Sequence, residues 1–320
     1  MANEVDYIIE AVYALLAVVS ATLNILLATV LARADDDDHI AKVMLSLTMS
    51  DLGAGTFVPF LSAVFAWVES AEVPYWLVVL VGSIFHMCVC SSIWHLTLTS
   101  VLKCYVIARP LSHAAVLTAR LRNRILAAIW LNSCALVIIA DLAGVRWRIT
   151  VPGIVEVSPI NLKAALGVRY FETGFIFLLT SVIISSSYIK ILFVVRQHHA
   201  TIGQLTTAAP VASGNNGWAA SIKSAKSLFI ICVAYYLTYV PGVLVNIGFA
   251  VPDWYRGLAR VIMFSSASIN SLLYIILNSS IRKTFMQMFC DGCLPRQATA
   301  SVHHLNMVSC QVHDINVPPA

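Results

Sequence analysis

Seven apolar stretches, each long enough to cross a bilayer, lie at roughly residues 7–33, 41–68, 76–105, 124–145, 165–195, 223–250 and 257–279. A spanning helix needs about 20 mainly apolar residues, because hydrocarbon offers no water to open backbone groups. Only 11% of the residues are charged and 59% are hydrophobic, with a mean hydropathy of +0.82. A soluble domain carries about 25% charged residues. The pattern predicts an all-α membrane protein, a seven-transmembrane helix bundle over residues 7–279 behind a short N-terminal segment, 1–6. Little room is left for a soluble domain.

The basic residues orient the bundle. With the N-terminus outside, the outer set is Arg146, Arg148, Lys163, Arg169, Arg256 and Arg260, and the remaining fourteen of the 20 lysines and arginines lie inside. The positive-inside rule therefore predicts an extracellular N-terminus and a cytoplasmic C-terminus. The rule counts Lys and Arg, so the acidic run Asp35 to Asp38 in the first inner loop does not overturn it. The net charge of +4 gives no reason to expect nucleic acid, since the cations lie where a cytoplasmic membrane face wants them. Glu4, Asp6 and Glu10 stand where a basic leader would, so no cleavable signal peptide is expected.

Residues 197–220, rich in Ala, Gly and Thr, read as a flexible inner loop. Residues 280–290 read as a short amphipathic helix, with Ile281, Phe285, Met288 and Phe289 on one face and Arg282 and Lys283 near lipid headgroups. Cys290 and Cys293 follow, either as S-palmitoylation sites or as free thiols. The tail, 291–320, is expected to be cytoplasmic and disordered. None of the eight cysteines falls in an expected outer loop, so no outer disulfide is expected. Asn278-Ser-Ser280 fits a glycosylation sequon but lies at the cytoplasmic edge, beyond the modifying enzyme.

Polar residues within spans are costly and tied to function. Asn24 lies in the first span, Asp51 in the second, Ser92 in the third, and Ser266 and Asn270 in the seventh. In a bundle, Asp51 is a lone carboxylate that needs a cation or hydrogen-bond donors, which Asn24, Ser92, Ser266 and Asn270 are placed to supply. Two readings stand: a protonated Asp51 in a structural network, or a Na⁺ or proton site. No enzyme is expected, because the chain has no Gly-rich phosphate loop, GxSxG, HExxH or Cys/His cluster with metal spacing.

These residues carry a resemblance to the rhodopsin-like (class A) family of G-protein-coupled receptors, over roughly residues 10–290. Asn24 matches the family's first-span Asn. LSLTMSD, ending in Asp51, matches its Leu-Ala-x-x-x-Asp pattern, with Pro59 further along the span. Trp76 matches the Trp of the first outer loop, and Trp130 the marker of the fourth span. SVLKCYVIARPL aligns without gaps on the third-span end A-I-D-R-Y-V-A-I-x-R-P-L, a register that also matches Ser92, Ile93 and Leu96. Phe177 and Tyr188 match the fifth span, Pro241 the sixth, and NSLLY (Asn270 to Tyr274) the Asn-Pro-x-x-Tyr of the seventh. Arg282 and Phe285 follow as in the family's eighth helix. The resemblance implies a divergent receptor that binds an extracellular ligand within the bundle and transmits it to a heterotrimeric G protein at the cytoplasmic face.

It also exposes departures. Leu102, Lys103 and Cys104 replace Asp-Arg-Tyr, so Lys103 keeps a charge but loses the planar five-donor fork. With no carboxylate between Ser221 and Lys226, no resting ionic lock is expected. Thr180 and Ser271 replace prolines, and each is expected to bend its helix only mildly by back-bonding to a carbonyl. Tyr239 and Tyr235 stand where the family usually has Trp and Phe. The cysteine pair that ties the third span to the second outer loop is absent.

By the resemblance, the ligand pocket would involve Phe85, His86, Val89, Glu172, Tyr239, Gly242, Val243 and Phe264. Phe85 stands where amine receptors carry Asp, which argues against a monoamine. Phe264 stands where opsins carry the retinal lysine, so retinal is not expected. No cofactor is implied beyond Na⁺ at Asp51. The remaining mixture suits a lipid, a small apolar molecule or an amphipathic peptide segment. His86 is either a histidine satisfied between helices or a ligand contact, and Glu172 either a ligand anchor or a partner of Arg169. Lys103, Tyr188, Tyr239, Pro241 and Tyr274 would form the switch and G-protein face, with Asp51, Ser92, Ser266 and Asn270 as the polar relay. The alternative is a receptor-like decoy or partner subunit that does not signal, motivated by Leu102-Lys103-Cys104 and Ser271. A transporter would want internal repeats, and none is convincing here.

Overall fold

The computed structural model describes the chain except residues 1–3, 36–37, 68–72, 110–116, 144, 151–153, 160–166, 168–169, 206–214, 247–248 and 290–320. Helix α1 (Glu4–Ala32) is the first span. The second is α2 (His39–Leu52), a π-helical turn (Gly53–Phe57) and α3 (Val58–Trp67). Helices α4 (Tyr75–Ala108) and α5 (Ala119–Leu142) are the third and fourth. A π-helical turn (Tyr170–Ile176) leads into α6 (Phe177–Leu205), the fifth. Helices α7 (Asn215–Asn246) and α8 (Asp253–Leu277) complete the seven, and the short α9 (Ser279–Phe289) follows.

Among the described residues, six helices are long and apolar enough to cross a membrane; in α7 the apolar part, Phe229–Val245, is shorter. The whole of α7 still reaches about 48 Å at 1.5 Å per residue. Large side chains point outward into the surroundings, among them Leu131 (70% exposed), Leu237 (66%) and Phe193 (73%). Such a surface is tolerable in lipid and would aggregate in water.

The all-α bundle carries one small addition: strands β1 (Val145–Thr150) and β2 (Ile154–Pro159) form an antiparallel hairpin between the fourth and fifth spans, with Val145 opposite Pro159 and Thr150 opposite Ile154. The alternation V-R-W-R-I-T followed by Pro152-Gly153 was the readable signal. The hairpin lies against α4, α5 and α3, covering one end of the bundle. One expectation is corrected: 197–220 is not one loop, because α6 runs on to Leu205 and α7 starts at Asn215. Backbone bonding carries a helix on past its apolar stretch where no Pro stops it.

Local chemistry sets the ends. Asp38 and Thr118 cap α2 and α5, accepting from the Ala41 and Leu121 amides at 3.0 and 3.2 Å. Asn278 closes α8 by donating its amide to the Tyr274 carbonyl at 3.1 Å, and its side-chain oxygen opens α9 by accepting from the Ile281 amide at 3.4 Å. Ile281 is buried, and Phe285 and Met288 pack against the main core, so α9 lays its apolar face on the bundle.

The second span carries the tightest packing. A Cβ on Gly55 would meet Ala267 Cβ at 2.4 Å and Ser20 Oγ at 2.5 Å, so spans one, two and seven touch there only because Gly55 has no side chain. Pro59, four residues on, cannot donate to the Gly55 carbonyl, and the π turn accommodates that lost bond.

Candidate functional site

Most buried Ser and Thr hydroxyls here bond back to their own helix, as Thr48 does to the Met44 carbonyl (2.8 Å) and Thr97 to that of Ile93 (2.8 Å). Such bonds satisfy the hydroxyl without joining spans. The informative bonds are those that cross between spans, and they concentrate around Asp51.

Asp51 is 2% exposed. Ser92 Oγ donates to its Oδ1 at 2.7 Å, and Asn270 Nδ2 donates to its Oδ2 at 3.2 Å. Spans two, three and seven thus meet on one carboxylate. Asn24 and Ser266, expected there too, bond elsewhere. Asn24 Nδ2 donates to the Ser20 carbonyl (2.9 Å) and reaches that of Ala267 (3.5 Å), while Ser266 Oγ donates to the Met263 carbonyl at 2.6 Å. Tyr239 is buried and presents its hydroxyl to Ser92 and Ser266, next to the carboxylate.

Ser271 departs from the expected back-bonding. Its Oγ donates across the bundle to Asn24 Oδ1 at 2.7 Å, tying the seventh span to the first. The hydroxyl is directed at Asn24 Oδ1 rather than at a carbonyl of its own turn, and α8 runs without interruption through that position. Thr180 does back-bond, to the carbonyls of Ile176 (2.9 Å) and Phe177 (3.0 Å), and also meets the Tyr235 hydroxyl at 3.1 Å. Its helix opens on the π turn ending at Ile176, so the regular bonding ladder of the fifth span is interrupted there without proline.

The expected switch positions lie apart from one another. Lys103 Nζ lies 5.4 Å from the centroid of the Tyr274 ring, a cation–π contact between spans three and seven. Tyr188 stacks its ring on Phe229, at 5.4 Å, between spans five and six. Pro241 sits inside α7, where it removes one backbone bond.

The expected ligand positions are also divided. Phe85 and Phe264 meet at 5.3 Å, and Tyr13 packs edge-on to Phe264, also at 5.3 Å. This trio lies toward the hairpin end, with Val81 and Val58 around it. Val89 packs against the main core, while His86, Gly242 and Val243 are half-buried. The Glu172 side chain, Cys290 and Cys293 lie outside the described residues.

Sequence reasoning missed a second crossing point. Ser50 Oγ donates to Ser91 Oγ (3.0 Å), and His95 Nδ1 lies 2.7 Å from the Ser91 carbonyl, a contact that assigns the ring proton to Nδ1. Trp130 Nε1 donates to Ser46 Oγ at 3.1 Å and meets the His95 ring edge-on at 6.0 Å. Spans two, three and four are joined here. The signal was His95 itself, one helical turn from Ser91 and Ser92 in a span.

The sequence model described as "7 transmembrane receptor (rhodopsin family)" matches residues 23–281. The chain belongs to this family. It is a receptor of the G-protein-coupled type, a membrane protein, in a family whose members are not enzymes. The match takes in Asp51, Lys103, Pro241 and Asn270 to Tyr274, so the receptor's altered switch positions stand inside the family's own frame. A comparison with curated proteins gives no match to the chain.

Proposed function

We propose that this receptor sits in the plasma membrane with its N-terminus outside, binds an extracellular ligand at the hairpin end, and signals to a heterotrimeric G protein at the α9 end. One observation carries the reading: a continuous buried path from the aromatic cluster at the hairpin end to the α9 end. Phe264 lies two residues from Ser266, which faces Tyr239; Asn270 holds Asp51 one turn below; and Tyr274, one turn further, carries Lys103 on its ring. A ligand that shifts Phe85 or Phe264 therefore acts on a chain of contacts ending where a G protein docks.

The residues around Asp51 fit a hard cation. Its carboxylate, the Ser92 and Ser266 hydroxyls and the side-chain carbonyl of Asn270 are oxygen donors from three spans. The two neutral donors on Asp51 leave its charge uncompensated, and bound Na⁺ would supply that compensation. The ligand is apolar or amphipathic and not a monoamine, because the ring cluster Tyr13, Phe85 and Phe264 offers apolar surface and the charge that acts on Tyr13 is the cation Arg260. S-palmitoylation of Cys290 and Cys293 would hold the end of α9 at the membrane, beside the Ile281 contact that holds its start to the bundle.

The Ser271–Asn24 bond favours a second reading, a receptor-like protein whose seventh span is too firmly tied to switch. Nucleotide exchange on G proteins separates the two. Membranes carrying the wild type should exceed mock membranes, with Lys103→Ala returning to baseline and Lys103→Arg at or above wild type. Silence in the wild type at good surface expression, with exchange gained only by Lys103→Arg, would sink the signalling reading.

A further inference from the structure

A groove of about 270 Å³ runs along the membrane-facing seam between α7 and α8. Its walls are Phe229, Ile230, Val233, Ala234 and Leu237 on α7, and Ile269 and Leu273 on α8. No polar side chain lines it. The α7 residues fall at helical spacing on one face, and Ala234 makes the depression between larger neighbours. From Phe229 to Leu237 the groove is about 12 Å long, the reach of an extended hydrocarbon chain rather than of a headgroup.

Both walls end in a cation on the same side. Lys226, exposed, stands one turn before Ile230 on the groove face of α7. On the other wall, Ile276 continues the face of Ile269 and Leu273, and Arg282 Nη1 donates to the Ile276 carbonyl at 2.7 Å. That bond leaves most of the guanidinium's donors for another acceptor. An apolar slot whose mouth holds two exposed cations is complementary to one class of molecule: a lipid with an apolar chain and an anionic head.

We propose that this groove is a site for an anionic phospholipid of the cytoplasmic leaflet, with one acyl chain along Ala234 and the phosphate-bearing headgroup on Lys226 and Arg282. The assignment to the cytoplasmic leaflet rests on the orientation proposed above. The site lies on the inner half of the sixth span, between Lys226 and Pro241. Its lipid therefore bridges spans six and seven where they must part or slide for a G protein to enter. Bound lipid holds the arrangement in which the groove exists, and so opposes that opening.

The test uses the full chain, purified and placed in nanodiscs of phosphatidylcholine with or without phosphatidylserine. Phosphatidylserine retained per receptor is counted by native mass spectrometry. Wild type should retain phosphatidylserine in preference to phosphatidylcholine. Lys226→Gln should lower that retention about fivefold and Lys226→Gln/Arg282→Gln about thirtyfold, since each cation near a headgroup contributes about 1 kcal/mol. Ala234→Phe, which fills the slot, should abolish it; the two surface-charge variants keep the test open if this one fails to fold. Equal retention of both lipids, or retention unchanged in the double charge variant, would overturn the proposal in favour of a neutral lipid. A dimer that forms through this seam and is lost in Ala234→Phe would overturn it in favour of a second copy. The orientation is read separately, by antibody access to an N-terminal tag on intact cells. An inaccessible tag would overturn the leaflet assignment and the receptor's proposed topology together, whereas lost lipid preference with an accessible tag overturns the lipid site alone.

Discussion

Spans one, two, three and seven are joined differently from spans five and six. In the first group, buried polar side chains bond across the bundle: Ser271 to Asn24, Asn270 and Ser92 to Asp51, with the Ser20–Gly55–Ala267 contact beside them. In the second, Tyr235 and Tyr236 reach Thr180 and Ser185 at 3.1 and 2.8 Å; the Tyr235 ring stacks on Phe177 and tilts against Tyr239, and the Tyr236 ring meets Phe177 edge-on. Hydrogen bonds to a buried carboxylate and an Asn fix distance and direction, whereas ring contacts slide at smaller cost. The lesson is that this receptor has a polar-bonded frame and a more compliant, ring-packed pair, joined to the frame where the Tyr239 hydroxyl meets Ser92 and Ser266, and that Ser271 ties the seventh span into the frame.

The largest effect expected is on the frame's packing. Gly55→Leu should cost about 3 kcal/mol or more, because its side chain must displace Ala267 and Ser20 where spans one, two and seven meet. Thermal unfolding in detergent, with surface expression in cells, would show it; near-normal stability would mean the contact is looser than the geometry says.

Next comes the Asn24–Ser271 bond. Asn24→Ala and Ser271→Ala should each destabilise by about 1 kcal/mol and together by little more than either, as expected when one interhelical hydrogen bond is lost twice. Tyr235→Phe, in the compliant pair, should cost less, about 0.5 kcal/mol. If Tyr235→Phe proves the more damaging, the division into frame and pair is wrong.

Ser271→Pro sharpens the comparison. It removes the tie to Asn24 and frees a carbonyl in α8, returning the hinge that the family has there. Agonist-independent nucleotide exchange should rise above wild type while stability falls. A fall in both would mean that the Ser271 bond is needed for the signalling state itself.

The smallest effect is expected from Lys103→Arg, within about 0.5 kcal/mol in stability, since either cation can sit on the Tyr274 ring. Its consequence should appear only in exchange assays.

Much of this was legible in the sequence. Apolar length gave the seven spans, and the lone carboxylate Asp51 pointed to a buried network whose Ser92 and Asn270 contacts the structure places on it. The hidden parts have physical reasons. Whether a buried hydroxyl bonds to its own helix or to a neighbour depends on helix rotation, which composition does not encode; Ser271 and Ser266 differ in this way. The hairpin was concealed because two six-residue strands carry a weak alternation beside strongly apolar helices. Tyr13 was recoverable: with Ala17, Ser20, Asn24 and Leu27 it forms one buried stripe at three- and four-residue spacing.

If the receptor signals as proposed, spans five and six move against a frame of one, two, three and seven. Spin-label pairs test this most directly, one pair across α4 and α7 at the α9 end and one across α1 and α8, with and without nucleotide-free G protein. The α4–α7 distance should grow by several ångströms while the α1–α8 distance stays fixed. Equal movement in both pairs, or movement of α8 away from α1 with α7 unmoved, would contradict it.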